Sequence, residues 1–175
     1  MAALLRSLGV WLAVMAAAVA VIYVVDAVPS VIRGTPRGVR RLPSLPALER
    51  AAGRPMPVPA YYPSSLEWPP GDQRLRPDGS AALWCRQRAD GALWLVIATA
   101  PATAPEVASD VMPPASELQR GDGTVNARPA VVTRLRDASG ALWHQVSWST
   151  PRWLVVVRYR GTLDELMRIA SGLSE

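Results

Sequence analysis

The stretch "AALWCRQRADGALWLVIATA", residues 81–100, decides the fold. Its halves, "AALWCRQR" (81–88) and "ALWLVIATA" (92–100), flank Asp90-Gly91, a strong two-residue hairpin signal. Residues 93–98 are apolar without alternation, which predicts a central strand covered on both faces. Further along, "AVVTRLRD" (130–137), "ALWHQVSW" (141–148) and "WLVVVRYR" (153–160) are separated by "ASG" and "STPR". Together they predict an antiparallel meander. After Gly161, the stretch "TLDELMRIASGLSE" (162–175) begins with a capping box, Thr162 and Glu165. Leu163, Leu166, Met167, Ala170 and Leu173 then form one apolar stripe, so an amphipathic helix closes the fold. That helix covers one face of the sheet. The other needs the N-terminal segment, the loop over residues 101–120, a ligand or a partner.

Shifted by 59 residues, Ala82-Leu83-Trp84 falls on Ala141-Leu142-Trp143, and Trp94-Leu95-Val96 falls on Trp153-Leu154-Val155. Duplication is one reading. The favoured reading is that a sheet reuses aromatic and β-branched residues at equivalent strand positions.

Before the sheet, "SLPALERAAG" (44–53) predicts a short helix, with Ser44 as cap, Pro46 in the first turn and Gly53 as stop. The stretch "PVPAYYPSSLEWPP" (57–70) comes next, and its prolines exclude a central strand. A solvated polyproline ligand is one alternative. Tyr61, Tyr62, Leu66 and Trp68 are bulky apolar groups between the prolines, and they favour the threshold of a folded domain. Residues 28–43, broken by Pro29, Gly34, Pro36, Gly38 and Pro43, read as a basic linker.

Of the 175 residues, 7–25 ("SLGVWLAVMAAAVAVIYVV") are uncharged and apolar, bounded by Arg6 and Asp26. As a helix they would run about 28 Å, near the hydrocarbon thickness of a bilayer. The alternative is a cleaved signal peptide ending near "VDA" (25–27), but the apolar run is longer than a usual signal core. An uncleaved anchor is expected. The organisation is therefore an anchor over 1–27, a linker over 28–43 and one α+β domain over 44–175.

A net charge of +5 raises nucleic acid as a partner, and the placement of the charge argues against it. Residues 1–58 hold seven arginines and two acids, 7 − 2 = +5; residues 59–175 hold twelve of each, 12 − 12 = 0. Arg33, Arg37, Arg40 and Arg41 lie just after the apolar run and are candidates for a membrane surface. By the positive-inside rule they favour a cytoplasmic domain.

Catalytic signals are few. Cys85 and His144 are each the only residue of their type, which excludes an intrachain disulfide and the usual zinc sets. No cysteine closely follows the apolar run, so a lipid-anchored terminus is not expected. No G-x-S-x-G, G-x-G-x-x-G or P-loop pattern occurs. His144 with a serine and an aspartate would make a hydrolase, but between Trp143 and Trp148 on a strand it reads as a structural or surface residue. Asp164 and Glu165 complement the dipole at a helix start. No enzyme and no cofactor is expected.

The succession "ALERAAGRPMPVPAYYPSSL", "ALWHQVSW", "WLVVVRYRG" and "TLDELMRIASGLSE" resembles an uncharacterised domain family. That family occurs in extracytoplasmic parts of bacterial membrane proteins, including ones attached to anti-sigma-factor-like modules and relatives of lipoprotein carriers. The resemblance implies a domain outside the cytoplasm, against the arginines. Six residues precede the apolar run, so the cytoplasmic module of the regulatory members is not expected. The expectation is a single-pass, membrane-anchored binding or regulatory domain for an envelope protein or apolar ligand. Tyr61, Tyr62, Trp68, Trp84 and Trp143 are its candidate contact surface. The alternative is an accessory structural subunit of a membrane complex.

Overall fold

The computed structural model describes residue 15, residues 38–104, 107–108 and 110–174. The chain divides into two units, Met1–Arg37 and Gly38–Glu175, and the second carries the sheet and the helices. The expected anchor over residues 7–25, apart from Met15, lies outside the described residues, as do Arg33 and Arg37. Among the described residues no helix is long and apolar enough to cross a membrane.

The second unit is α+β. Strand β1 (Arg40–Leu42) leads into helix α1 (Leu45–Ala52), which is followed by β2 (Val58–Pro59), β3 (Asp72–Leu75), β4 (Ala81–Arg86) and β5 (Leu93–Pro101). Then come β6 (Ala115–Val125), β7 (Arg128–Asp137), β8 (Leu142–Ser149), β9 (Trp153–Tyr159), helix α2 (Leu163–Ser171) and β10 (Leu173–Ser174). One antiparallel sheet has the order β1-β3-β4-β5-β9-β8-β7-β6. It is therefore two meanders rather than the single one expected. From the edge strand β1, β3 to β5 run inward, the chain crosses to the far edge, and β6 to β9 return until β9 pairs with β5, Leu95 opposite Tyr159.

Two further expectations are corrected. The segment read as a loop over 101–120 becomes strand from Ala115 onward, because β6 pairs with β7 along its length. The linker read over 28–43 ends in β1, whose Arg41 opposes Arg74 of β3. Val39 beside it is buried, which ties this segment to the domain.

The sheet has a core on each face. On one, Leu83, Leu95, Ile97, Val146, Val155 and Val157 pack under α1, α2 and Leu66 of the threshold stretch. Ser44 caps α1 by accepting from the Ala47 amide at 3.3 Å, and Gly53 ends it at φ +66°. Thr162 caps α2, and Leu166, Ile169 and Ala170 are its buried stripe. The stretch 57–70 is indeed a threshold: Leu66 is fully buried and bridges Gln87, and β2 pairs with β10 near the C-terminal end of the unit.

On the opposite face, Ala82, Val96, Ala98 and Val156 are covered by Val111 and Met112 of the segment between β5 and β6. Three side chains latch that segment down. Trp84 Nε1 donates to Val111 O at 2.7 Å, and Arg74 Nη1 donates to Asp110 O at 3.5 Å. Arg158, buried, donates through Nη1 to Pro113 O, and through Nε and Nη2 to Gln145 Oε1 at 3.0 and 2.7 Å. Burial pulls its pKa down to about 10.

The correspondence at 59 residues is not a structural repeat. Leu95 faces the helices, whereas its counterpart Leu154 faces the crossing segment.

Candidate functional site

The residues expected to form one contact surface are dispersed. Tyr61 and Trp68 pack on the helix-covered core, while Trp84 packs on the opposite one. Each aromatic already has a structural use. Arg168 lies over the Tyr61 ring at 3.8 Å, and Tyr62 stacks on Trp68 at 4.9 Å. Arg74 covers the Trp84 ring at 3.3 Å. Trp143 is a correction, since it is only 2% exposed and its Nε1 donates to Asp137 Oδ2 at 2.9 Å. A tryptophan in a strand read as a surface group is instead the lid of its own hairpin. Of the basic candidates, Arg40 and Arg41 stand exposed on β1, and Arg41 pairs with Asp72 at 3.6 Å.

Neither single residue with nucleophile or ligand chemistry builds a site. Cys85 is fully buried, and desolvation, reinforced by Glu67, raises its pKa to about 12. His144 is partly buried opposite Tyr159, and burial together with Arg134 lowers its pKa. Among the described residues no group of three His, Cys, Asp or Glu could hold a metal ion.

A cleft of about 570 Å³ opens where α1 ends against the start of β9. The left-handed Gly53 turns the chain out of the helix, and the Arg54 amide returns to Glu49 O at 3.2 Å. Glu49 Oε1 also accepts from the Met56 amide at 3.0 Å, which fixes "RPMP" along one wall. From that wall the Arg54 guanidinium lies over the Trp153 ring at 3.7 Å. Its Nη2 donates to Thr99 Oγ1 at 2.6 Å and to Gly79 O at 3.1 Å. Nη1 has a thioether, Met56 Sδ, at 3.6 Å, and the buried Nε has no hydrogen-bond partner. Burial lowers the pKa of Arg54.

The opposite wall is the turn before β9. Thr150 Oγ1 accepts from the Trp153 amide at 3.0 Å and from the Arg152 amide at 3.4 Å, while the Thr150 amide donates to Trp153 O at 2.7 Å. This turn presents Pro151 and Arg152 to solvent at the cleft mouth.

Sequence reasoning missed the site because Arg54 and Trp153 are 99 positions apart. The local signals, an arginine just past a helix-stopping glycine and a tryptophan at a strand start, were each legible. Their juxtaposition depends on the β5–β9 pairing, which brings Thr99 opposite Val155. The chain matches no family model, no curated protein sequence and no solved structure.

Proposed function

We propose that this protein is a non-enzymatic binding or regulatory domain, anchored by residues 7–25 with its folded unit outside the cytoplasm, and that the Arg54–Trp153 cleft receives its ligand. The observation that carries the reading is a concave, largely apolar site with a preorganised polar group at its floor, the usual form of a small-molecule site. Its hydroxyls, on Thr99, Thr150 and Ser174, have no histidine or carboxylate among the described lining residues to act as a base, which favours binding over catalysis. The placement outside the cytoplasm rests on the family resemblance.

Two measurements test it. The full chain, held in phosphatidylcholine nanodiscs, is screened with small apolar and amphipathic fragments by ligand-observed NMR. Hits abolished by Pro151→Trp, which fills the cleft mouth, support the reading; hits indifferent to that change, or no hits, sink it. Alkaline phosphatase fused after Glu175 is expected to be active, and an inactive fusion beside a bright cytoplasm-only fluorescent reporter would reverse the orientation.

A second reading, an accessory structural subunit, is favoured by β6. That strand is eleven residues long, lies at the sheet edge and is exposed over most of its length. Such an edge is a ready template for another chain. A constant stoichiometric protein retained through purification in mild detergent would favour this reading over the first.

A further inference from the structure

The charges in the Arg54–Trp153 cleft do not balance. Two cations face it, Arg54 and Arg152, and no acidic side chain among the described residues lines it. Arg54 has no carboxylate within ion-pairing distance among the described residues, although it is partly buried and desolvated. Among the other described arginines removed from solvent, Arg74 pairs with Asp72 at 3.1 Å and Arg76 pairs with Asp110, while Arg158 is satisfied by Gln145 and Pro113 O on all three guanidinium nitrogens; Arg54 alone of these keeps a buried Nε with no hydrogen-bond partner. Arg152 is exposed at the mouth, and its guanidinium has no partner among the described residues.

Arg54 is also held still. Thr99, Gly79 and the Trp153 ring fix its plane, so little side-chain entropy remains to be lost when something binds. Its Nη1, with a weak thioether acceptor, retains donor capacity. The remaining walls are Met56, Trp153 and prolines, which reward apolar surface. The Thr99 and Thr150 hydroxyls already serve the protein, so the site offers little to a polyol.

We infer that the ligand is a small organic anion, a carboxylate or phosphate monoester carried on a compact apolar body. Arg54 and Arg152 hold the anionic group, and the Met56–Trp153 side holds the body. The inference rests on the cleft being the binding site. A cationic ligand would add to two uncompensated positive charges, and a neutral one would leave them as they are.

The test is calorimetric titration of the full chain in phosphatidylcholine nanodiscs, with empty nanodiscs as blank. The probes are octanoate, octyl phosphate, octyl glucoside and inorganic phosphate. Octanoate or octyl phosphate is expected to bind at least about tenfold tighter than octyl glucoside. Inorganic phosphate, lacking the apolar body, is expected to bind at least about tenfold more weakly than octyl phosphate. Arg152→Gln is expected to weaken the anionic probes about three- to tenfold, with octyl glucoside and the melting temperature unchanged. Arg54→Gln should weaken them further, and its melting curve shows whether the fold survives.

Octyl glucoside binding as tightly as octanoate, with both blocked by Pro151→Trp, would overturn the anionic class and leave the cleft standing. No saturable binding of any probe would remove the cleft reading and this inference together. The ratio of octanoate to octyl phosphate identifies the head group. Competition by phosphatidylglycerol nanodiscs identifies a bilayer lipid as its source, and lack of competition a soluble anion; both results are in accord with the inference.

Discussion

Ala127 occupies the second position of the two-residue loop between β6 and β7, with φ +63°, after Asn126 at φ +49°. Positive φ at both positions is what a tight hairpin of this kind requires, and it suits Asn and Gly but not Ala. A left-handed alanine costs about 1–2 kcal/mol, part of which glycine returns through its greater freedom in the unfolded chain. Ala127→Gly is therefore expected to stabilise the protein by about 0.5–1 kcal/mol, seen as a higher urea midpoint at unchanged slope. Asp137 works the other way, as a well-used turn residue. Its Oδ1 accepts from the Ser139 amide and hydroxyl and from the Ala141 amide, and Oδ2 accepts from Trp143. Burial raises its pKa, but the hydrogen bonds from Ser139, Trp143 and Ala141 outweigh it and hold the carboxyl at about 2 instead of 3.8. A depressed carboxyl stabilises the fold fully above its unfolded value and loses that contribution as pH falls through the folded one. Asp137→Ala is expected to cost about 1–3 kcal/mol at neutral pH, at the lower end because the residue is only partly buried and solvent screens it. The gap to the parent protein in thermal melts should shrink as pH falls from 3.8 toward 2. A gap constant across that range would show that the charge contributes nothing.

At the level of elements, legibility in the sequence tracks burial. β5, β8, β9 and both helices announced themselves because one or both faces meet a core and the residue types record it. β6 did not, since "ASELQRGDGTV" is exposed on nearly every residue and no apolar alternation is imposed on it. Its hairpin was hidden too, because Asn-Ala replaces the Asn-Gly that betrays such turns. The crossing segment was foreseen only as one of several covers for the second face. It does cover it, with Met112 at 4% exposure and Val111 fully buried. Met112→Ala is expected to destabilise by about 2–5 kcal/mol, the range for emptying a buried methionine site. Amide exchange should rise in the latched segment and in β4 and β5 beneath it, and unchanged protection there would mean the segment is only lightly seated. The Arg54–Trp153 cleft was illegible for a related reason, since each of its walls is set by tertiary pairing and neither by local pattern.

For the whole unit, the boundary matters. The sequence places the domain start at Ser44, after the linker, whereas β1 and the buried Val39 make Gly38 the physical limit. A fragment spanning 38–175 is expected to be more stable than one spanning 44–175 by about 2 kcal/mol, the contribution of one buried valine with its adjoining strand contacts. Equal urea midpoints would show β1 to be dispensable. The two-meander order has a consequence for how the chain is made. β5 leaves the ribosome as an apolar strand while its neighbour on one side, β9, is still about sixty residues from being synthesised. Local hairpins close in microseconds, but synthesis adds only about 5–20 residues each second. For several seconds, then, one edge of "LWLVIATA" is without its strand partner, and it stays an open template for pairing until Tyr159 arrives opposite Leu95.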